Sequence, residues 1–380
     1  MLKKKSLSSK KALASVGKMD ITFFGLVMTL LIIGLIMLFS ASYSYAYTYY
    51  DNSFHFIIKQ LFFAVLGVLG MLVISRIDYH HYKKFAIPVY IIALGLLASV
   101  YAFAPIANVR RWITLGPIQF QPSEIGKFAI VLLFSYLISK NSGSMDKLTF
   151  VLTLLGLLGL VCALVVAEPH LSATVLIAGI GVVLIFVGGL SKKLVTIGLA
   201  TIGVLGVSGY LIAMKVLGYA SNRITAWLNP WSDPVGAGYQ TIQSLLAIGS
   251  GGVLGRGLGQ SRQKHLWVPE PHNDFIFSIV CEELGLIGAM IIIIIFCALI
   301  WRGFTIAMRS KDKFGSLLAL GLTFQVGLQV ALNILVVTNT IPNTGISLPF
   351  FSYGGTALII LLAEMGIVLS VSRSSSIEKT

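Results

Sequence analysis

The chain has 380 residues, 56% of them hydrophobic and only 11% charged, with a mean hydropathy of +0.90. A chain this apolar cannot keep its surface in water, which excludes a soluble globular protein and makes lipid the solvent. The net charge of +14 would point to nucleic acid in a soluble protein, but here the Lys and Arg fall in alternate loops between apolar runs, so nucleic acid is not expected as a partner.

A spanning helix needs roughly 20 mostly apolar residues. Runs of that kind fall at 21–43, 57–75, 86–105, 124–139, 149–167, 171–190, 194–218, 275–301, 314–337 and 348–371, which predicts an all-α polytopic membrane protein of ten transmembrane helices. A basic segment over 1–20 precedes a membrane domain over 21–372, and a tail over 373–380 follows it. The first apolar run is longer than a cleaved signal sequence allows and reads as an uncleaved helix. Only Glu168, Pro169 and His170 part the fifth run from the sixth.

Lys3, Lys4, Lys5, Lys10, Lys11 and Lys18 precede the first run, and Arg76, Lys83, Lys84, Lys140, Lys147, Lys192, Lys193, Arg302, Arg309, Lys311, Lys313, Arg373 and Lys379 fall in alternate loops. Cytoplasmic loops collect positive charge, so both termini are predicted to be cytoplasmic. The opposite loops are poor in Lys and Arg except at Arg110 and Arg111 and in the segment 219–273, predicted to be a large extracellular loop. That segment carries Trp227, Trp231 and Trp267 and a run of glycines from Gly249 to Gly259. Long ordered loops usually carry function, although an interfacial helix with a tryptophan belt would use the same aromatics. Cys162, Cys281 and Cys297 lie inside apolar runs with no CxxC pair and read as packing residues.

Ionisable groups at or within hydrocarbon are costly, so each needs a partner, a wet cavity or a task. Asp274 opens the run at 275–301, Glu282 and Glu283 lie further along it, and Glu364 is deep in the last run. Glu124 and Lys127, spaced i, i+3 behind Pro122, share a helix face and can pair. Asp274 sits in PEPHNDFIF between a polar loop and a buried helix, where low dielectric and Arg262, Lys264 and His272 could tune it for general-base work. The same position also suits a carboxylate that merely favours a helix N-terminus. Arg110, Arg111, Arg223, Arg256, Arg262 and Lys264 fall on the predicted outer side and suit either substrate phosphates or anionic lipid headgroups. No nucleotide-binding or serine-hydrolase motif occurs, so an enzyme here would take an already activated substrate.

The strings VRRWITLG (109–116), QPSEIGK (121–127), GAGYQTIQS (236–244), LGQSRQK (258–264), PEPHNDFIF (269–277), EELG (282–285) and GISLPFFSYGGT (345–356) together resemble the SEDS family of shape, elongation, division and sporulation proteins. LGQSRQK leading into PEPH is most similar to the division and sporulation branch of FtsW and SpoVE rather than the rod-elongation branch of RodA. Departures stand at Asn108 and Val109, where the family usually has Gly-Ala, at Asn273, where it has Thr, and at His170, where it has Asp.

The resemblance implies a ten-helix peptidoglycan glycosyltransferase acting on lipid II, a disaccharide-pentapeptide on undecaprenyl pyrophosphate, with its active site facing outside the cytoplasmic membrane. It implies Asp274 as the catalytic residue and places Trp112, Glu124 and Lys127 in a central cavity. Arg110, Arg111 and Lys127 are the cations expected to stabilise the leaving pyrophosphate, with or without a divalent cation such as Mg or Mn. A class B penicillin-binding protein is the implied transpeptidase partner, alongside other division or sporulation proteins. The rival readings are a lipid II flippase and a scaffold of the division machinery. A flippase would suit the intramembrane charges, but the chain carries no evident inverted repeat and its polar motifs cluster on one predicted face.

Overall fold

In the computed structural model the described residues are 17–104, 110–115, 118–168, 170–190 and 227–374. The predicted run at 194–218, Arg223, Lys192 and Lys193, Asn108 and Val109, Lys379 and the lysines up to Lys11 lie outside them.

The described chain is nearly all helix. The helices are α1 (Ile21–Tyr50), α2 (His55–Ile74), α3 (Ala86–Ser99), α4 (Pro122–Lys140), α5 (Leu148–Ala167), α6 (Leu171–Val187), α7 (Tyr239–Gly251), α8 (Ile276–Met308), α9 (Lys313–Val337) and α10 (Gly355–Ser374). A hairpin of β1 (Ile113–Leu115) and β2 (Ile118–Phe120) precedes α4, pairing Ile113 with Phe120 and Thr114 with Gln119. Eight of the helical stretches are long and apolar enough to cross a membrane, and α6 is a shorter apolar helix. Pro122 occupies the first turn of α4, where its missing N–H has no intrahelical partner to lose.

Lipid as solvent is visible in the burial pattern. On α2, Ile58, Phe62, Leu69 and Val73 are 55–61% exposed, an arrangement stable only against acyl chains. Between helices, small residues allow close approach. A Cβ on Gly67 of α2 would stand 2.5 Å from Leu362 of α10, and one on Gly366 of α10 would stand 2.7 Å from the Met71 carbonyl oxygen. Asp20 caps α1 by accepting from the Phe23 N–H at 2.9 Å, and it also accepts from Arg302 Nε of α8 at 2.8 Å.

Several helices depart from the apolar runs in where they end or in their continuity. Helix α1 continues to Tyr50 and is about 45 Å long at 1.5 Å per residue, well beyond the ~30 Å hydrocarbon core. Helix α10 starts at Gly355 rather than 348, because Pro349 has no N–H to give and Phe350 adopts φ 67°. Residues 348–354 instead form a turn in which the Leu348 N–H donates to Ser352 Oγ at 2.7 Å. Helix α8 is broken at Gly285, with φ 67° and ψ −172°, a conformation that glycine alone adopts without strain.

Candidate active site

The break in α8 receives the segment that follows α7. Leu286 N–H donates to the Gly252 carbonyl at 2.9 Å, and the Arg256 and Gly257 N–H groups donate to the Glu282 and Glu283 carbonyls at 3.0 and 2.9 Å. A Cβ on Gly285 would lie 2.2 Å from the Gly255 nitrogen. Glu282 and Glu283, both buried, hold the same segment with their side chains. Glu283 accepts from Ser40 Oγ of α1 at 2.7 Å, the Gly259 N–H at 2.9 Å and Lys264 Nζ at 2.9 Å. Glu282 accepts from the Arg262 N–H at 3.0 Å, the Gln263 N–H at 3.2 Å and Ser250 Oγ at 3.2 Å. Both carboxylates are therefore satisfied inside the protein, and they fix the 250–264 segment against α8 and α1.

Lys264 is accordingly withdrawn from the expected phosphate-binding set: its ammonium is buried and bound to Glu283, Ser40 Oγ and the Gly259 carbonyl. Arg262 remains exposed. Neither is among the charges that act on Asp274.

Asp274 lies two residues before α8 and is half-buried. Its main-chain oxygen accepts from Asn333 Nδ2 of α9 at 2.8 Å, and the same Nδ2 donates to the Ile346 carbonyl at 2.6 Å. A Cβ on Gly345 would stand 3.3 Å from Asp274 Oδ2, so glycine leaves that face of the carboxylate open. Among the described residues no hydrogen bond ends on the Asp274 carboxylate. Burial pushes its pKa up to about 6, the Glu270 charge pushes the same way, and the Arg111 charge opposes both. A carboxylate so poised can take a proton near neutral pH. His272, buried among Tyr45, Phe56 and Tyr353, is held neutral by burial, with its pKa down to about 4.

Arg111 reaches the turn between α5 and α6, donating from Nε to the Glu168 carbonyl oxygen at 3.4 Å. Arg110 is exposed and donates to the Tyr101 carbonyl at 3.2 Å, while Trp112 is half-buried beside the hairpin. His170 meets Gln121 Nε2 through Nδ1 at 3.3 Å. Its pKa falls to about 3 through burial first, then through the charges of Arg111 and Lys127, so it is neutral.

Deeper in the bundle, Lys127 pairs with Glu124 at 2.8 Å and donates to Gln329 Oε1 of α9 at 3.2 Å. Gln325 Nε2 donates to Glu364 of α10 at 2.9 Å. A small open cleft lies beside these groups, lined by Glu124, Gln325, Gln329, Ser347 and Tyr353 among others. Asp274 is not in its lining; Asn333 ties the Ile346 carbonyl to that of Asp274, and the lining residues Ser352 and Tyr353 donate to the Asn273 and His272 carbonyls at 2.8 and 2.9 Å. Lys127 is thus paired to Glu124, as the i, i+3 spacing suggested.

A family model described as "Cell cycle protein", covering FtsW, RodA and SpoVE, matches residues 20–377. The chain belongs to this FtsW/RodA/SpoVE family. It is 39% identical over 361 residues to stage V sporulation protein E of Bacillus subtilis, covering 94% of this chain and 97% of that one. It is 36% identical over 343 residues to a probable peptidoglycan glycosyltransferase FtsW of a Geobacter species, covering 89% and 92%. A solved structure described as "structural coordination of polymerization and crosslinking by a peptidoglycan synthase complex" superposes with a TM-score of 0.79 at 27% identity, covering 95% of this chain and 99% of that one.

For an FtsW/RodA/SpoVE protein, the residues that build this site are more numerous than the charged ones. Gln325, Gln329 and Asn333 recur every fourth residue along α9 and present one polar stripe to the cavity and to Asp274. That spacing is readable in the sequence, whereas the part played by Arg111 and Glu168 is not, because it depends on contacts across the fold. Among the described residues no three His, Cys, Asp or Glu side chains converge as a metal cage would require.

Proposed function

We propose that this chain is a peptidoglycan glycosyltransferase that polymerises lipid II on the outer face of the bacterial cytoplasmic membrane, for septal or sporulation wall synthesis. The observation that carries the reading is the Asp274 carboxylate, half-buried, without a hydrogen bond among the described residues, open on its Gly345 side and within the field of Arg111. The family match over residues 20–377 and the names of its relatives supply the substrate class.

In this reading Asp274 takes the proton from the acceptor GlcNAc 4-hydroxyl. The oxygen forms a new bond to the donor MurNAc anomeric carbon as the bond to undecaprenyl pyrophosphate breaks, the electron pair leaving with the phosphate and the centre inverting. Arg111 and Arg110 meet the charge that builds on the leaving group. The Glu124–Lys127 pair and the α9 stripe hold the cavity open and polar rather than carrying that charge alone.

Strand cross-linking falls to a partner, a class B penicillin-binding protein. The apolar flank of α8, where Ile287, Met290, Ile291 and Ile294 are 46–60% exposed, suits a single membrane helix of such a partner. The deciding experiment gives lipid II to purified protein, with and without a transpeptidase inactivated at its own serine. Polymer from wild type and none from Asp274→Ala supports the reading; equal yields at matched expression sink it.

A further inference from the structure

Glu168 is the one residue of the α5–α6 turn whose placement the proposed reaction does not explain. It is fully buried at the C-terminal end of α5, where the helix macrodipole disfavours negative charge. Among the described residues neither carboxyl oxygen has a hydrogen-bond partner. Glutamine would fill the same space with donors to offer, so a buried acid with both oxygens unpaired calls for a reason. The turn itself is well fixed. Glu168 N–H donates to the Leu164 carbonyl at 3.3 Å, and Ser172 Oγ donates to the Thr344 carbonyl, next to the Gly345 that borders Asp274.

The charged group facing Glu168 is Arg111, which donates to its main-chain oxygen at 3.4 Å. Tyr101, at the end of the stretch that follows α3, also lies within the Glu168 field, and His170 in the same turn is neutral. The resemblance noted from sequence would put a second carboxylate at 170, and here His170 removes it. Glu168 is then the only acid of the turn 168–172. Arg111 acts on both Glu168 and Asp274.

We propose that Glu168 is a positioning residue of the polymerase site, an acid that governs through Arg111 how much positive charge reaches Asp274 and the leaving pyrophosphate. The inference rests on the polymerase reading above. While Glu168 is neutral, Arg111 serves Asp274 and the substrate phosphates. Once Glu168 ionises it competes for the same guanidinium, and the site weakens. Burial pushes the Glu168 pKa up to about 8 against the opposing pull of Arg111, while Asp274 titrates at about 6. Between those two values Asp274 is charged and Glu168 is not.

The test is the pH–rate profile of lipid II polymerisation for wild type, Glu168→Gln and Glu168→Asp in one membrane mimic. Wild type should rise through pH ~6 and fall through pH ~8, whereas Glu168→Gln should rise in the same way and stay level, leaving it about tenfold faster than wild type at pH ~9. Glu168→Asp should restore a falling limb. In parallel, the protonated-carboxyl infrared band lost in Glu168→Gln should titrate near pH ~8, and higher when Arg111→Gln removes the cation. A profile that Glu168→Gln lowers evenly at every pH, a falling limb that survives the substitution, or a band indifferent to Arg111 overturns the proposal. Wild-type protein that makes no polymer at any pH overturns instead the polymerase reading on which it rests, and the infrared arm separates the two failures.

Discussion

Asn333 on α9 donates one amide group to two carbonyl oxygens, that of Asp274 at 2.8 Å and that of Ile346 at 2.6 Å. It therefore sets the distance between the carboxylate-bearing start of α8 and the segment that lines the cavity. A proton acceptor must be held within a few tenths of an ångström of its productive place, so this buried amide matters to rate as well as to folding. Replacing it with Leu strands two buried carbonyls at a cost of about 1–3 kcal/mol each. We expect Asn333→Leu to lower both thermal stability and polymerisation rate, the latter by at least about tenfold. An unaltered rate in folded protein would separate Asn333 from the site.

Asp274 carries a linked prediction of opposite sign for stability. Its folded pKa of about 6 stands above the ordinary 3.8. The carboxyl is thus at ease below pH ~4, and the folded state loses stability as pH rises through ~6. Asp274→Asn should remove that loss, so the variant should be more stable than wild type at pH ~7 by on the order of 1 kcal/mol, and equal to it at pH ~4. Its polymerisation rate should fall about 10²- to 10⁴-fold. Melting curves at the two pH values are the check, and a lower melting point at neutral pH contradicts the account.

Lys264 and Glu283 should behave as a structural pair. Lys264→Met leaves a buried carboxylate without its cation and should destabilise the protein by about 3–5 kcal/mol. Limited proteolysis should then cut within 250–264, and adding Glu283→Leu should recover part of the loss. A rise in the KM for lipid II with unchanged stability would instead return Lys264 to the phosphate site.

Gly285 tolerates no side chain. Its φ of 67° costs about 1–2 kcal/mol for an alanine, and the added Cβ would sit 2.2 Å from the Gly255 nitrogen. Gly285→Ala should fail to accumulate in the membrane, while Gly159→Ala, whose Cβ meets nothing within 4 Å, should express as wild type.

The sidedness of the site rests on the alternation of Lys and Arg. A cysteine at Gly257 should react with an impermeant thiol reagent from outside intact cells and one at Lys192 should not. Labelling at Lys192 would place the polymerase chemistry on the wrong face.

The membrane-spanning character and the Glu124–Lys127 pair were legible in the sequence because each depends on residues within one helix. A run of apolar side chains declares a span by itself, and i, i+3 spacing declares a shared face. The 250–264 segment was misread in part. Lys264 looked free for phosphate because its partners lie 19 residues away at Glu283 and 224 away at Ser40, and no local pattern reports either. Likewise Arg262, Lys264 and His272 are near Asp274 in sequence, yet Glu270 and Arg111 are the charges that act on it. The turn at 348–354 was read as helix because it is apolar, and Pro349 and the left-handed Phe350 outweigh that signal.

The two glutamates that fasten the 250–264 segment belong to a helix that lies for most of its length in lipid. No slack linker intervenes between them. The bonds at Arg256, Gly257 and Leu286 bridge the interruption at Gly285, so the 250–264 segment splints α8 across its break and Ser40 ties the splint to α1. Asp274 stands at the start of this same helix, so a tilt of α8 would carry the carboxylate with it.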